Sequence, residues 1–208
     1  NKNYMIIYIA HRQNKIKNII KSNNSLFKGI EIDLRSDSKK IIVNHDPFKN
    51  GLDFVKNIKF FKKYFLLIDI KSSGISQKIC EILRKKKIKF LLLNLIQQEF
   101  VQMIKLGYGE HLFLRFSSFE NFDLKNKKFN KIKWIWFDFF DRYFITAKKY
   151  KYIKKFKKKI CIASPDLLGV KLGFIIKFIK HLNKNKIKVD MVCAKKESIK
   201  IWKKYYKY

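Results

Sequence analysis

Short apolar runs of strand length alternate along this sequence with longer segments whose apolar residues recur at helical spacing, and this alternation limits the folds open to the chain. Several short runs, such as residues 90–93, are apolar without interruption, as in parallel strands covered on both faces. Eight runs are predicted to be strands: residues 4–10, 29–34, 65–70, 89–95, 111–116, 134–139, 159–163 and 188–193. A ninth run, residues 40–44, is interpreted as the hairpin partner or the extension of the second.

The segments between these runs are predicted to be helices. In one of them, residues 52–64, the side chains of Phe54, Val55, Ile58 and Phe61 are expected to form one apolar face. Lysine runs such as residues 157–159 are interpreted as solvated helix ends. The complete set of predicted helices comprises residues 14–22, 52–64, 76–87, 97–106, 146–158, 170–183 and 197–206.

Eight strands that alternate with helices predict an α/β fold with a parallel sheet, and the count fits a closed (β/α)8 TIM barrel. An open doubly wound sheet is the competing arrangement, but the glycine-rich phosphate loop expected after its first strand is absent. No Pro-, Gly- or Ser-rich linker divides the chain. We therefore predict one compact domain over residues 1–208.

The charge of the chain is strongly unbalanced, with 49 Lys and Arg against 16 Asp and Glu and a formal net charge of +33. Arginine occurs at only five positions, and the abundance of Lys, Ile, Asn, Phe and Tyr is typical of A/T-rich coding sequence. Excess lysine also attracts phosphates without sequence preference, so nucleic-acid binding is the alternative explanation, although base readout depends mainly on arginine. In either case a positive field favours anionic substrates and anionic membrane surfaces.

The remaining compositional signals are those of an ordinary cytoplasmic protein. Cys80, Cys161 and Cys193 are far apart and form neither a CxxC pair nor a zinc-binding spacing, so they are expected to be buried free thiols. The sequence contains no run of about 18 uncharged apolar residues, so we predict no membrane-spanning helix. Residues 1–8 lack the pattern of a signal peptide, and we expect a cytoplasmic location.

Polar residues with catalytic potential fall at the ends of the first strands, where a parallel barrel places its active site. Glu31 and Asp33 are two residues apart on one predicted strand and therefore point to the same face, and Asp69 and Lys71 obey the same rule on the next. Neighbouring carboxylates repel each other unless a proton or a cation relieves them, and Mg²⁺ or Ca²⁺ prefers such oxygen ligands. Two of the four histidines, at positions 11 and 45, fall at the same predicted level.

The order of these residues resembles a known family. The motifs are His11-Arg12, Glu31-Ile32-Asp33, Val43-Asn44-His45-Asp46 and Asp69-Ile70-Lys71, which together lie within residues 4–71. In this order they resemble the glycerophosphodiester phosphodiesterases of the PI-PLC-like phosphodiesterase superfamily. That resemblance implies a (β/α)8 barrel that hydrolyses phosphodiesters with a divalent cation.

The resemblance also implies a role for each matched residue. His11 and His45 correspond to the general acid and base, and Glu31, Asp33 and Asp69 to the metal ligands. The cationic residues Arg12 and Lys71 correspond to phosphate ligands. Beyond the matched segment, Arg115 closes the fifth predicted strand and is a further candidate for lining the phosphate pocket.

The sequence departs from the family pattern at several positions. Gln13 stands where the family usually has Gly, and the Glu-Asn pair that usually follows is missing. Asp69 replaces a usual Glu, which shortens that ligand by one methylene group. These differences indicate a divergent member of the family.

We therefore predict a metal-dependent phosphodiesterase acting on a glycerophosphodiester or a related small or lipid-derived phosphodiester, in lipid or surface-polysaccharide metabolism. One alternative is a phospholipase-type lyase of the same superfamily, which would release a cyclic phosphate. Another is a catalytically altered barrel that binds anionic membranes or nucleic acid through its positive charge. The set of His11, Glu31, Asp33 and His45 disfavours pure binding, because binding does not require it.

Overall fold

A computed structural model describes residues 5–20, 26–140 and 145–207. Residue 4 of the first predicted strand and residues 21–22 of the first predicted helix lie outside these ranges. The chain forms two compact units, one of residues 12–112 and one of residues 1–11 with 113–208. The prediction of one domain over residues 1–208 stays a prediction.

Strands and helices alternate along the described residues, as the sequence predicts. The strands are β1 (Ile7–Ala10), β2 (Gly29–Asp37), β3 (Lys40–Val43), β4 (Leu52–Asp53), β5 (Phe65–Ile70), β6 (Phe90–Leu93), β7 (Phe113–Phe116), β8 (Trp134–Phe137), β9 (Lys159–Ala163) and β10 (Met191–Ala194). The α-helices are α1 (Ile16–Ile20), α2 (Ser76–Lys85), α3 (Gln97–Lys105), α4 (Ala147–Lys155), α5 (Leu172–Lys184) and α6 (Lys196–Tyr205). Short 3₁₀ helices span Ile58–Phe60, Gly109–His111, Lys127–Phe129 and Pro165–Leu168.

In the unit of residues 12–112 the strands follow the spatial order β4-β3-β2-β5-β6. Strands β2, β5 and β6 are parallel, and their buried runs form the centre of the sheet. Strand β3 pairs antiparallel with β2, which confirms the hairpin interpretation of residues 40–44. The register places Asp33 directly beside Asp69, so the two acidic strands present their carboxylates at the same level.

The prediction of a helix over residues 52–64 is wrong. The chain there forms the short strand β4, a series of turns and the 3₁₀ helix Ile58–Phe60. Strand β4 pairs with β3, and the Phe54 N–H donates to the carbonyl of Ile41, so pairing with the sheet edge overrides the helical periodicity. Phe54, Ile58 and Phe61 are nevertheless buried, whereas Val55 is exposed.

The unit of residues 1–11 and 113–208 contains the parallel strand order β1-β10-β9-β8-β7. Helices α5 and α6 pack together in this unit, and Phe178 meets the fully buried Trp202 edge-on at 6.1 Å between ring centroids. The Trp202 indole N–H donates to Ser164 Oγ at 2.8 Å, which satisfies both buried polar groups. Apolar strands covered by amphipathic helices therefore form the core.

The mixed α/β architecture is confirmed, but the prediction of a closed barrel differs from the structure. Strand pairing among the described residues does not close into a barrel. Beyond β6, the unit of residues 12–112 has one isolated bridge between Leu92 and Leu112 in place of a hydrogen-bonded ladder. The chain reaches Leu112 through the 3₁₀ helix Gly109–His111, which interrupts the extended backbone that a longer ladder requires.

One of the lysines interpreted as solvated is buried. The Lys158 ammonium group donates to the carbonyl oxygens of Phe129 and Ile132 at 2.7 and 2.6 Å. Burial lowers the pKa of this ammonium group. The Lys158 side chain provides hydrogen-bond donors for two carbonyl groups at and just after the 3₁₀ helix that precedes β8. A run of three lysines in the sequence does not indicate this role.

Cys80, Cys161 and Cys193 are all buried free thiols, as expected. Within the described ranges, every helix is too short or too polar to cross a bilayer.

Helix α2 depends on a carboxylate from α3. Glu99 is buried, and its Oε1 accepts the backbone N–H groups of Gly74 and Ser76 at 3.1 and 3.0 Å. The first amide groups of a helix lack partners within the helix, and an anionic acceptor also suits the positive end of the helix dipole. Glu99 therefore fixes the start of α2 to α3.

We expect Glu99→Ala to lower the free energy of unfolding by about 1–3 kcal/mol, because the buried amide group of Ser76 and the partly buried one of Gly74 lose their acceptor. Urea denaturation followed by circular dichroism measures the effect. Gln98→Ala, at an exposed position of the same helix, is the matched control and should change stability little. Equal stability of the two variants would contradict this role for Glu99.

Candidate metal and phosphate site

Three carboxylates come together at one edge of the sheet in the unit of residues 12–112. Glu31 and Asp33 project from β2, and Asp69 projects from β5. One carboxylate oxygen from each residue lies within 4.8 Å of the other two. Glu31 and Asp33 are only 3% and 1% exposed, so water screens their charges poorly.

The geometry follows from strand alternation and register. Residues two apart on a strand share a face, which aligns Glu31 with Asp33 and Asp69 with Lys71. The parallel pairing of β2 with β5 then sets Asp33 next to Asp69. Strand alternation and this register together explain why Glu31, Asp33, Asp69 and Lys71, which were predicted as site residues, lie close together.

Two cationic side chains contact the acidic cluster. The Lys71 ammonium group lies 2.7 Å from Asp69 Oδ2 and 3.3 Å from Asp33 Oδ1. The Arg12 Nε atom lies 3.8 Å from Asp33 Oδ2, and the half-exposed Arg12 side chain extends from the cluster toward solvent. The backbone N–H of Arg12 also donates to Glu31 Oε2 at 2.5 Å.

Two asparagines that the sequence analysis missed complete the cluster. Asn14 Nδ2 donates to Asp33 Oδ2 at 2.7 Å, and Asn14 Oδ1 accepts the Asp33 backbone N–H at 3.0 Å. Asn94 follows β6 and donates to Asp69 Oδ1 at 2.8 Å. Asn94 has φ 62°, a left-handed conformation that asparagine tolerates better than most residues. The position of Asn94 directly after an apolar strand is the sequence feature that could have identified it as a site residue.

The electrostatics of the cluster favour an added positive charge. Burial, followed by the nearby charges of Asp33 and Asp69, raises the pKa of Glu31 well above its ordinary value. Burial also raises the pKa of Asp69, against the opposing effect of Lys71. Burial alone would lower the pKa of Lys71, but the carboxylates of Asp69 and Asp33 raise it overall. Lys71 therefore remains charged, while the cluster holds Glu31 in an unfavourable environment for an anion.

The donor set fits a divalent cation such as Mg²⁺ or Ca²⁺. Both ions prefer oxygen ligands, and the three carboxylates carry one more unit of charge than Lys71 and Arg12 can balance when all are ionised. Glu31, Asp33 and Asp69 are the residues that would hold the ion. Asp69 is shared with Lys71 and Asn94, so its oxygens already have partners on two sides.

His45 lies in the loop that follows β3. The loop begins at Asn44, whose backbone N–H donates to the Asp33 carbonyl at 3.1 Å. The His45 Nδ1 atom lies 2.9 Å from Asp46 Oδ1, and the imidazole side chain is 37% exposed. The hydrogen bond to His45, together with Lys49, lowers the pKa of Asp46 to about 2. Asp46 is therefore an ionised partner that orients the His45 ring.

His11 and Arg115 belong to the unit of residues 1–11 and 113–208. His11 directly follows β1, and its backbone N–H donates to the Ala194 carbonyl at the end of β10. The Arg115 guanidinium group contacts Asp138 at 2.7 Å and Glu120 at 3.1 Å. The predicted phosphate residue Arg115 is thus held by two carboxylates that the sequence analysis did not connect with it.

Comparisons with solved structures relate the fold to TIM-barrel proteins. A glycerophosphoryl diester phosphodiesterase from Parabacteroides distasonis matches with a TM-score of 0.59 and 8% identity over 100% of this chain and 89% of its own. A putative glycerophosphoryl diester phosphodiesterase from Silicibacter pomeroyi matches with a TM-score of 0.57 and 9% identity, covering 96% and 93%. A mutant tryptophan synthase alpha-subunit from Pyrococcus furiosus matches with a TM-score of 0.52 and 10% identity, covering 96% and 90%.

These structural matches support the fold. Their sequence identities are too low to transfer the roles of individual residues to this chain. No protein-family model and no curated protein sequence matches the chain.

We expect Glu31→Gln to stabilise the cation-free protein at pH 8, because a neutral amide removes an ionised side chain that burial and two carboxylates disfavour. In the wild-type protein the raised pKa of Glu31 favours the folded state at low pH, and this contribution is lost as the pH rises through that pKa. Thermal unfolding in EDTA measures the difference.

Added Mg²⁺ or Ca²⁺ should raise the midpoint of wild-type unfolding and have a smaller effect on Glu31→Gln, since a ligand stabilises only the state that binds it. Glu81→Gln, an exposed substitution on α2, is the control and should respond to cations like wild type. An identical cation response of wild type and Glu31→Gln would count against a cation at this cluster.

Proposed function

We propose that this protein is a metal-dependent phosphodiester hydrolase that acts on a glycerophosphodiester or a related polar phosphodiester. The observation that carries the proposal is the buried group of Glu31, Asp33 and Asp69 with Lys71 and Arg12 against it. Cations beside an oxygen-ligand cluster suit a substrate that is itself a phosphate anion. The solved phosphodiesterases of similar fold support the same reaction class.

In this proposal the acidic cluster and its cations bind the phosphate. A divalent cation held by Glu31, Asp33 and Asp69 would neutralise charge on a non-bridging phosphate oxygen. Arg12, which is half exposed and keeps donors available to a ligand, binds a second phosphate oxygen. Lys71 stays protonated beside Asp69 and Asp33 and adds positive charge where negative charge develops in the transition state.

We assign proton transfer to His45 and His11. The contact with the Asp46 carboxylate favours a proton on His45 Nδ1, which leaves Nε2 as the nitrogen that accepts or donates a proton. His11 directly precedes Arg12 in the sequence and is proposed as the second member of the pair. One histidine removes a proton from the attacking water or hydroxyl group, and the other protonates the leaving alkoxide.

A release assay across a panel of phosphodiesters tests the proposed reaction. The panel contains glycerophosphodiesters with different alcohols and a lysophospholipid, each assayed with EDTA, Mg²⁺ or Ca²⁺. We expect cation-dependent release of an alcohol and a phosphomonoester. Phosphorus NMR of the products distinguishes hydrolysis from a lyase, which would yield a cyclic phosphate. Absence of turnover on every substrate with every cation would contradict the proposal.

His45→Gln and His11→Gln should each lower kcat/KM by about 10²- to 10⁴-fold, the range that a general acid or base contributes. His181→Gln is the control, because the His181 ring contacts the Ile145 carbonyl and has no proposed role in the reaction. Circular dichroism should show that all three variants remain folded. Wild-type turnover by either His45→Gln or His11→Gln would exclude that residue from proton transfer.

A further inference from the structure

Phe48 is a large apolar side chain that the folded unit of residues 12–112 leaves fully exposed. Its relative exposure is 105%, higher than that of any other apolar residue described as exposed. It lies three residues after His45 in the loop between β3 and β4. Because a side chain exposed to this extent gains almost nothing from burial, packing within its own unit does not account for a phenylalanine at this position.

The backbone at Phe48 is also in an unfavourable conformation. Its φ of 57° lies in the left-handed region, which glycine and asparagine adopt readily and bulky residues rarely do. Such strain persists only where the surrounding structure imposes it, and it is concentrated at functional positions. The chain thus keeps a residue that is costly for its backbone and does not contribute to its core.

The loop around Phe48 is held in place by hydrogen bonds. Asn44 Nδ2 donates to the carbonyl oxygens of Lys49 and Asn50 at 3.3 and 2.8 Å, and Asn44 Oδ1 accepts the Asp46 N–H at 3.1 Å. The Lys49 ammonium group contacts Asp46 Oδ2 at 2.8 Å. These bonds close the loop across Phe48, whose ring is exposed to solvent.

The charged residues that flank Phe48 along the chain indicate the chemistry of a partner. Asp46 is engaged by His45 and Lys49, and Asp53 accepts the Lys56 N–H, so both carboxylates have partners within the segment. Exposed lysines follow along the same stretch of chain: Lys49, Lys56, Lys59, Lys62 and Lys63. A fully exposed apolar ring followed along the chain by exposed lysines matches the interface of an anionic lipid bilayer, which has an apolar interior and anionic headgroups.

We propose that the loop of residues 44–50 docks this protein on anionic lipid membranes, with Phe48 inserted among the lipids and the neighbouring lysines against their phosphates. One apolar anchor binds a membrane weakly, and a basic surface supplies the second contribution that lasting association needs. Because His45 lies in the same loop, docking brings a lipid phosphodiester to the site, a consequence that rests on the proposed function.

Vesicle sedimentation of the full chain tests the docking without any measurement of catalysis. The vesicles contain phosphatidylcholine and phosphatidylglycerol in equal parts, and pure phosphatidylcholine vesicles are the neutral comparison. We expect binding to the anionic vesicles and a loss of about tenfold in affinity for Phe48→Gly, since one aromatic anchor is removed. Phe48→Trp should retain binding, because an indole ring suits the membrane interface.

Ser38→Gly is the matched control, because Ser38 is an exposed residue with φ 52° in the β2–β3 turn of the same unit. Both glycine substitutions relieve a left-handed backbone, so both should leave the unfolding midpoint equal to or above that of wild type. Only Phe48→Gly should lose vesicle binding. Hydrolysis of a water-soluble phosphodiester should be equal in the two variants.

Two outcomes would overturn the docking proposal. One is equal vesicle affinity of wild type, Ser38→Gly and Phe48→Gly. The other is salt-sensitive RNA binding that depends on Phe48 while vesicle binding does not, which would identify nucleic acid as the partner. Vesicle binding by a protein without phosphodiesterase activity would leave the docking intact and would contradict only the proposed function.

Discussion

The burial of three carboxylates beside one another is the constraint on which the candidate site depends. Glu31 and Asp33 have almost no contact with solvent, and their repulsion is relieved by Lys71, by Arg12 and by hydrogen bonds from two asparagines. A buried charge is tolerated when it is paired and hydrogen-bonded. Burial, followed by the charges of Asp33 and Asp69, nevertheless raises the pKa of Glu31 well above its ordinary value, so the cluster still disfavours a third negative charge. A cation bound by the three carboxylates would offset both the burial and the repulsion.

The net charge of +33 can be interpreted together with this acidic cluster. Acidic residues are few in the chain, and three of them cluster at one site, whereas most lysines of the described residues are exposed. A positive surface draws anions toward the protein, and a cation-binding acidic cluster with Arg12 beside it can orient a phosphate that arrives there. In this view the lysines increase encounter with an anionic substrate or membrane, and the few carboxylates carry the chemistry.

Local patterns predicted part of the site, and long-range pairing determined the rest. Alternation along a strand is a local rule, so it correctly placed Glu31 with Asp33 and Asp69 with Lys71. Two other features depend on how separate strands pair: the register that sets Asp33 beside Asp69, and the hydrogen bond from Asn94 to Asp69. Local sequence patterns do not reveal that pairing.

The same distinction explains the differences in the fold. Residues 52–64 have helical periodicity, yet pairing of β4 with β3 takes their backbone hydrogen bonds. Lys158 is buried because two carbonyl groups of the Lys127–Phe129 turn region need a donor, and that need is visible only once the chain is folded.

Anomalous diffraction from crystals grown with Mn²⁺, an oxygen-preferring stand-in for Mg²⁺, tests the central claim most directly. The account predicts an anomalous peak in contact with carboxylate oxygens of Glu31, Asp33 and Asp69, and its loss in crystals of Asp33→Asn. A wild-type map with no peak at these carboxylates, while Lys71 remains against Asp69, would show that lysine alone balances the cluster and would contradict the account.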